Sequence, residues 1–279
     1  MGNTLNYKAT MDEQNFLVIK KFLNKEEIQK ILQSVDKWHT HPLCTLSPTA
    51  NNSSVTNSHR LQSILYSEEW LAKGKEKYEK IDKYFLIINS ILFPILKPKI
   101  KTIFENMGLY NWEITRMTIM YTFPGCPEQE VHHDNDVNDG IYFLSIPLQY
   151  TTVDMGSTIF YDERYVKHLR KEKPKELDGK PFDKKKVFYN NIGFVKDFSK
   201  KDQESLEKGR RIFNLNTGDL TIHSSSTLHH GGANSSKRNR CFIFIMVKTN
   251  DTTIVDFFDI QNNQLFLVNS QKHENLNEQ

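Results

Sequence analysis

The spacing of apolar positions divides the chain into a helical first part and a strand-rich second part. Residues 16–23 are rich in β-formers and predict a strand, and residues 24–35 carry a capping box followed by apolar positions at helical spacing. The polar run 47–60 predicts a loop. Helical spacing returns over residues 68–107, with a break or kink expected at Pro94. The first hundred residues should therefore be mostly helical.

After Gly108 the pattern changes to short strand-like segments separated by Gly, Pro and Asn. These segments are 112–121, 141–150, 157–161, 187–189, 220–223 and 240–247. Helices followed by strands predict an α+β fold whose strands form a sandwich or barrel. Because no stretch resembles a linker, we expect a single domain over 1–279, with helical support to about residue 107, a strand core over about 108–250 and a polar C-terminal tail.

Composition and charge narrow the classes of function. With 37 Lys and Arg against 34 Asp and Glu, the formal net charge is +3, which is too balanced to suggest a nucleic-acid-binding protein. Three cysteines without CxxC spacing argue against a disulfide framework. The N-terminal residues lack the apolar segment of a signal peptide, and the longest apolar stretch, 84–96, is too short to span a bilayer. We therefore expect a soluble protein of a reducing compartment, the cytoplasm.

A charged stretch over residues 164–186 contains ten Lys and Arg against four Asp and Glu. Such a run is typical of a solvated surface insertion, which is the interpretation we favour. The alternative is a lid that attracts an anionic substrate.

The first candidate for chemistry is the triplet His132-His133-Asp134. On a strand, side chains two residues apart point to the same face, so His132 and Asp134 could bind one metal ion together. In a chain with this many His and Asp residues, chance alone can produce one such triplet, so the triplet needs a second motif to support it.

The second motif lies between Gly218 and Arg240. A distal histidine here would complete a set of two His and one carboxylate, which is the ligand set of non-haem Fe(II) oxygenases. Arg240 opens a strand that is apolar on both faces, and this predicts a strand buried on both sides. A buried arginine requires an anionic partner, such as a bound dicarboxylate. A position at the sheet edge, facing water or an acidic side chain, explains the spacing equally well.

The order of these residues resembles a known enzyme family. The order is Gln129-x-x-His132-x-Asp134, then Gly156, Gly218-Asp219, His229, Asn234 and Arg240. It is similar to that of the Fe(II)/2-oxoglutarate-dependent dioxygenases, and most similar to their phytanoyl-CoA hydroxylase-like branch. The resemblance covers roughly residues 110–248, and the segment 218–240 aligns with that branch without a gap.

The resemblance implies a double-stranded β-helix, the jelly roll shared with cupins. It implies that His132, Asp134 and His229 hold Fe(II), and that Arg240 binds the distal carboxylate of 2-oxoglutarate. By position, four further residues would line the cosubstrate pocket: Met117, Gln129, Ser145 and Thr158. The implied reaction uses O2 to decarboxylate 2-oxoglutarate to succinate and CO2. It couples this step to hydroxylation of an unactivated C–H bond of a small-molecule or acyl, lipid-like substrate, with ascorbate supporting activity.

Alternatives remain open for the ligand and for the activity. His230 could replace His229, although the register of Gly218-Asp219 favours His229. Prolyl or lysyl hydroxylases of the same superfamily act on proteins, but the prolyl type has a lysine ten residues after the ligand. A metal-binding jelly roll without turnover, or a zinc hydrolase, would also fit two His and one carboxylate. Zinc chemistry, however, gives Arg240 no role.

Three neighbouring residues are not expected to be ligands. His223 should be packed in the core or lie just behind the ligands, and His133 should point away from the metal if His132 points towards it. Asp136 is expected to be a solvated carboxylate.

Overall fold

The computed structural model describes residues 6–39, 47–48, 60–67, 79–134, 140–169, 191–193 and 195–249. Its α-helices are α1 (Tyr7–Gln14), α2 (Lys25–His39), α3 (Glu79–Asn106), α4 (Glu163–Val166) and α5 (Lys200–Gly209). The strands are β1 (Phe16–Ile19), β2 (Ser47–Pro48), β3 (Arg60–Ser67), β4 (Trp112–Thr122), β5 (Val131–His132), β6 (Ile141–Pro147), β7 (Thr158–Tyr161), β8 (Asn191–Gly193), β9 (Arg210–Ile212), β10 (Leu220–Ser224), β11 (His229–Gly231) and β12 (Arg240–Thr249).

The strands form two antiparallel sheets. The large sheet has the order β1-β10-β6-β12-β4-β3-β2, and the small sheet has the order β8-β5-β11-β7-β9. Two of the pairings, β1 with β10 and β3 with β4, join the first part of the chain to the second. Helices and antiparallel sheets together confirm the α+β class.

The main hydrophobic core lies between α2, α3 and one face of the large sheet, which we call the outer face. On β12 the outer face carries Cys241, Ile243 and Ile245, all of them buried. Alternate residues of the same strand, beginning with Arg240 and Phe242, are also buried, on the inner face. The predicted burial of this strand on both sides is therefore confirmed over its first half.

Helix α3 runs through Pro94 and Pro98 without interruption, so the predicted break is wrong. Both prolines are exposed, whereas Leu92, Leu96 and Ile100 are fully buried on the opposite side of the helix. The two hydrogen bonds that the prolines cannot donate are therefore lost on the solvent side, where the loss costs least. The buried leucines and isoleucine hold the helix on the sheet.

The N-terminal third contributes strands as well as helices. β1 lies at one edge of the large sheet, and β2 and β3 extend the opposite edge beyond β4. The expectation of a mainly helical support is therefore incomplete. The polar run 47–60, predicted as a loop, begins with β2 and ends at the first residue of β3, and residues 49–59 between them lie outside the described residues. Within the described residues, no helix combines the length and apolarity needed to cross a membrane.

Five of the predicted strands in the second part match β4, β6, β7, β10 and β12. The sequence patterns miss β5, β8, β9 and β11, each of which has only two or three residues. The predicted strand 187–189, most of the basic stretch 164–186, Asp136 and the polar tail after residue 250 lie outside the described residues.

Candidate functional site

His132 and His229 face each other on neighbouring strands. They are directly paired in the β5–β11 ladder, and their ring centroids are 4.4 Å apart. Asp134 follows β5 and joins them, so that one ligand atom from each of the three side chains lies within 4.8 Å of the other two. The structure thus brings together the three residues that were predicted as metal ligands.

Asp134 contacts both imidazoles. Its Oδ1 lies 3.9 Å from His132 Nε2, and its Oδ2 lies 3.6 Å from His229 Nε2. The H-x-D spacing therefore places both side chains on one side of the chain, as alternation along an extended segment requires.

The two histidines are anchored with their Nε2 atoms towards Asp134. His132 Nδ1 donates to the Glu130 carbonyl at 2.7 Å, and His229 Nδ1 donates to the Thr227 carbonyl at 2.9 Å. A ring that donates through Nδ1 keeps a lone pair on Nε2, which is the arrangement of metal-binding histidines. These residues therefore fit a bound divalent cation.

The electrostatics of the site favour the same conclusion. Burial alone would raise the pKa of Asp134, but the neighbouring His229 and the other imidazoles hold it well below its usual range. Burial lowers the pKa of His229 well below its usual value, although Asp134 opposes this shift. The carboxylate is thus ionised and the imidazole neutral near neutral pH, which are the forms that bind metals. Among the described residues, the buried Oδ2 of Asp134 has no hydrogen-bond partner, so a cation bound by this carboxylate would compensate its charge.

His230 points away from this cluster. Its Nε2 contacts Glu128 Oε1 at 2.6 Å, its Nδ1 lies 3.3 Å from the Tyr161 hydroxyl, and its ring stacks on Tyr161. Because neighbouring residues on a strand face opposite sides, only one of the two consecutive histidines can reach Asp134. The structure gives that position to His229.

Arg240 lies on the inner face of the large sheet, 5% exposed. Its guanidinium donates to the Gly156 carbonyl, contacts Thr122 Oγ1 at 3.4 Å and stacks over Phe242, with 4.8 Å between its carbon and the ring centroid. Arg240 also lines a cavity between the two sheets. The position at a solvated sheet edge, left open by the sequence, is therefore excluded.

Three of the predicted pocket residues line this cavity: Ser145, Thr158 and Arg240. Thr221, which pairs with Ser145 across β10 and β6, also lines the cavity and was not predicted. The sequence feature that could have identified Thr221 is the alternation of faces along β10, which places Thr221 on the same face as His223.

Two predicted pocket residues do not line the cavity. Met117 pairs with Ile245 and belongs to the core on the outer face, so its predicted contact with the cosubstrate is wrong. Gln129 lies outside the cavity lining, and its side-chain oxygen accepts a hydrogen bond from the Gly231 backbone amide at 2.8 Å. This bond attaches the segment before β5 to β11, so Gln129 positions the two strands that carry the ligands.

Two other motif residues stabilise turns. Asp219 accepts hydrogen bonds from the backbone amides of Lys21 and Asn216 at 2.9 and 2.8 Å, and from Lys20 Nζ at 2.9 Å. Asn234 donates to the carbonyls of Thr122 and Arg238 at 3.1 and 2.9 Å. The first residue fixes the turn before β10, and the second fixes the approach to Arg240.

His223 and His133 are both buried. The Nε2 atom of His223 lies 3.6 Å from Asp134 Oδ2, which agrees with the expectation that His223 lies behind the ligands. His133 is not part of the group of side chains that converges on Asp134.

The family model of phytanoyl-CoA dioxygenase matches residues 11–242, which is most of the chain. The chain belongs to the phytanoyl-CoA dioxygenase family. Membership confirms the predicted resemblance and makes the protein an Fe(II)/2-oxoglutarate-dependent oxygenase. No curated protein sequence matches the chain significantly.

Solved structures similar to this member of the phytanoyl-CoA dioxygenase family share its fold at low sequence identity. The epimerase SnoN, in complex with Fe3+, alpha ketoglutarate and nogalamycin RO, has a TM-score of 0.59 at 13% identity, covering 87% of this chain and 82% of its own. The carbocyclase SnoK from nogalamycin biosynthesis has a TM-score of 0.57 at 13% identity, and the match covers 89% of this chain and 85% of SnoK. HygX from Streptomyces hygroscopicus, with nickel and 2-oxoglutarate bound, has a TM-score of 0.53 at 9% identity, and the match covers 90% of this chain and 89% of HygX.

Proposed function

We propose that the protein couples oxidative decarboxylation of 2-oxoglutarate to hydroxylation of an unactivated C–H bond in a small-molecule or acyl, lipid-like substrate. The convergence of His132, Asp134 and His229 is the observation that carries this proposal. We also propose that the two antiparallel sheets form a double-stranded β-helix, because the ligands lie on the small sheet and Arg240 lies on the large one.

Each ligand has a defined task. His132 and His229 would hold Fe(II) through Nε2, and Asp134 would supply the negative charge, so that three protein groups leave the remaining positions open. When bound, the iron supplies the activation of dioxygen together with 2-oxoglutarate. The chain contributes orientation, because both rings are fixed by backbone carbonyls. It also limits access of water, because His229 is buried and His132 and Asp134 are half-buried.

Arg240 would bind the distal carboxylate of 2-oxoglutarate. A guanidinium offers two parallel donors to a carboxylate, and the Gly156 carbonyl and Thr122 already hold this one in place. Ser145 and Thr221 line the same cavity, two residue pairs along the sheet from His223 and Phe143. The cavity therefore extends from Arg240 towards the metal ligands.

Similar structures support the cofactor assignment. SnoN is recorded with Fe3+ and alpha ketoglutarate, and HygX with nickel and 2-oxoglutarate. SnoN is an epimerase and SnoK a carbocyclase, so relatives with this fold catalyse more than one outcome. Assays should therefore follow the cosubstrate before they search for a hydroxylated product.

The decisive experiment measures succinate formed from 2-oxoglutarate by the purified protein with Fe(II), O2 and ascorbate. We expect slow turnover without substrate and faster turnover with small-molecule or acyl candidates. Replacement of both His132 and Asp134 by Ala should abolish succinate formation. If wild-type protein forms no succinate with any candidate and binds no 2-oxoglutarate, the proposal is wrong.

Arg240 also favours this branch over the protein hydroxylases, for which a lysine was expected. A panel of proline- and lysine-containing peptides tests that alternative, since robust peptide hydroxylation would replace the small-molecule proposal. Metal analysis of anaerobically purified protein tests the zinc alternative.

We further propose that residues 1–279 act as one catalytic domain in the cytoplasm. Cys126 and Cys241 are buried and are not joined in a disulfide, which supports a reducing compartment.

A further inference from the structure

His223 is a buried imidazole beside the proposed ligands. Its exposed fraction is 2%, and its ring is flanked by Phe143 and Phe160, with centroids 5.5 and 5.3 Å away. Within the part of the chain that the structure describes, neither ring nitrogen makes a hydrogen bond. An imidazole buried between phenyl rings is costly unless a polar group compensates it.

The polar group that faces His223 is the carboxylate of Asp134. The distance from Nε2 to Oδ2 is 3.6 Å, slightly longer than a hydrogen bond. This Oδ2 is itself buried and has no hydrogen-bond partner among the residues that the structure describes. A small rotation of the carboxylate would satisfy both atoms at once, and each would otherwise be a buried unsatisfied group.

We propose that His223 is a positioning residue, whose Nε2–H donates to Oδ2 of Asp134 and leaves Oδ1 to face the metal. This inference rests on the proposed function, because it takes His132, Asp134 and His229 as the ligands. A carboxylate that is held through one oxygen binds the metal through the other, so the positions for 2-oxoglutarate and O2 stay open. A fourth protein ligand would occupy one of these positions.

Titration of the full-length apoprotein with Ni(II), followed by calorimetry, tests this role without turnover. The amide nitrogen of Gln reaches about the position of Nε2, whereas that of Asn reaches only about the position of Nδ1. We expect His223→Leu and His223→Asn to weaken Ni(II) binding about 10- to 100-fold, and His223→Gln to stay within a few-fold of wild type. Ile222→Val, on the opposite face of the same strand, is the matched packing control and should bind as wild type does.

The absorption spectrum of the Co(II) protein adds a second readout, because it reports the coordination number. Because His223 is not itself a ligand, we expect the coordination number in His223→Leu to be no lower than in wild type. Wild-type affinity in His223→Leu would overturn the inference and leave the proposed function intact. A loss as complete as in His229→Ala, without rescue by Gln, would make His223 a ligand and also overturn it. Equal Ni(II) binding by wild type and His229→Ala would instead refute the proposed metal site itself.

Discussion

His132 and His229 are direct cross-strand partners in the small sheet, although they lie 97 positions apart along the chain. His230, the next residue, contacts Glu128 and Tyr161 on the other side. This arrangement predicts opposite phenotypes for two adjacent histidines.

We expect His229→Ala to reduce metal affinity by more than the ~10- to 100-fold loss that is typical of a residue behind the ligands. His230→Ala should keep metal binding but lower the free energy of unfolding by about 1–3 kcal/mol, because Glu128 and Tyr161 lose a partner. Ni(II) calorimetry and urea unfolding check the pair. Loss of metal binding in His230→Ala alone would show that the ligand assignment is wrong.

Arg240→Lys tests recognition of the cosubstrate. Lysine keeps the charge but cannot make two parallel hydrogen bonds, a loss of about 1.5–3 kcal/mol. The 2-oxoglutarate concentration for half-maximal succinate formation should therefore rise about 10- to 100-fold. Arg238 is exposed, so Arg238→Lys is the matched control and should leave this 2-oxoglutarate concentration unchanged. An unchanged value for Arg240→Lys would exclude this residue from the cosubstrate site.

Gly156 and Gly108 have the same backbone conformation in different surroundings, so alanine substitutions at the two positions separate the effect of conformation from that of crowding. Both have positive φ, at +79° and +78°, but a Cβ on Gly156 would lie 2.5 Å from the Gly232 carbonyl oxygen. A Cβ on Gly108 would have no atom of the described residues within 4 Å. Gly108→Ala should cost about 1–2 kcal/mol from the left-handed conformation alone. Gly156→Ala should cost about 1–3 kcal/mol more and should also weaken 2-oxoglutarate binding, since the Gly156 carbonyl holds Arg240. Urea unfolding measures the loss of stability, and the succinate assay measures the change in 2-oxoglutarate binding. Equal losses of stability in Gly108→Ala and Gly156→Ala would contradict this account.

Asp219 should make part of the stability pH-dependent. Burial would raise the pKa of this carboxyl, but hydrogen bonds from the Lys21 amide, Lys20 and the Asn216 amide lower it below its usual value. A depressed pKa stabilises the folded state above the unfolded pKa, about 3.9, and this contribution is lost as the pH falls through the folded value. Asp219→Asn should cost about 2–4 kcal/mol at pH 7 and progressively less below pH 4. Urea unfolding across this range would contradict the prediction if the difference stayed constant.

Long periodic elements and spaced motifs could be predicted from the sequence. β4 and β12 have ten or more residues, and His132-x-Asp134 lies on one face for the reason predicted. The strands of two or three residues carry no periodicity, so β5, β8, β9 and β11 could not be recognised. Met117 shows a different limit: it is one residue from Thr118, and an error of one position along a strand exchanges the two faces of the sheet.

The position of β12 between β6 and β4 has a consequence for biosynthesis. β12 is the last described strand to emerge from the ribosome, and both of its neighbours are synthesised more than ninety residues earlier. A nascent chain that already displays His132 and Asp134 therefore lacks the central strand of the large sheet and, with it, Arg240. The metal ligands and the guanidinium can come together only after Arg240 has been synthesised, so assembly of the active centre is a late step with the slow kinetics of long-range strand pairing.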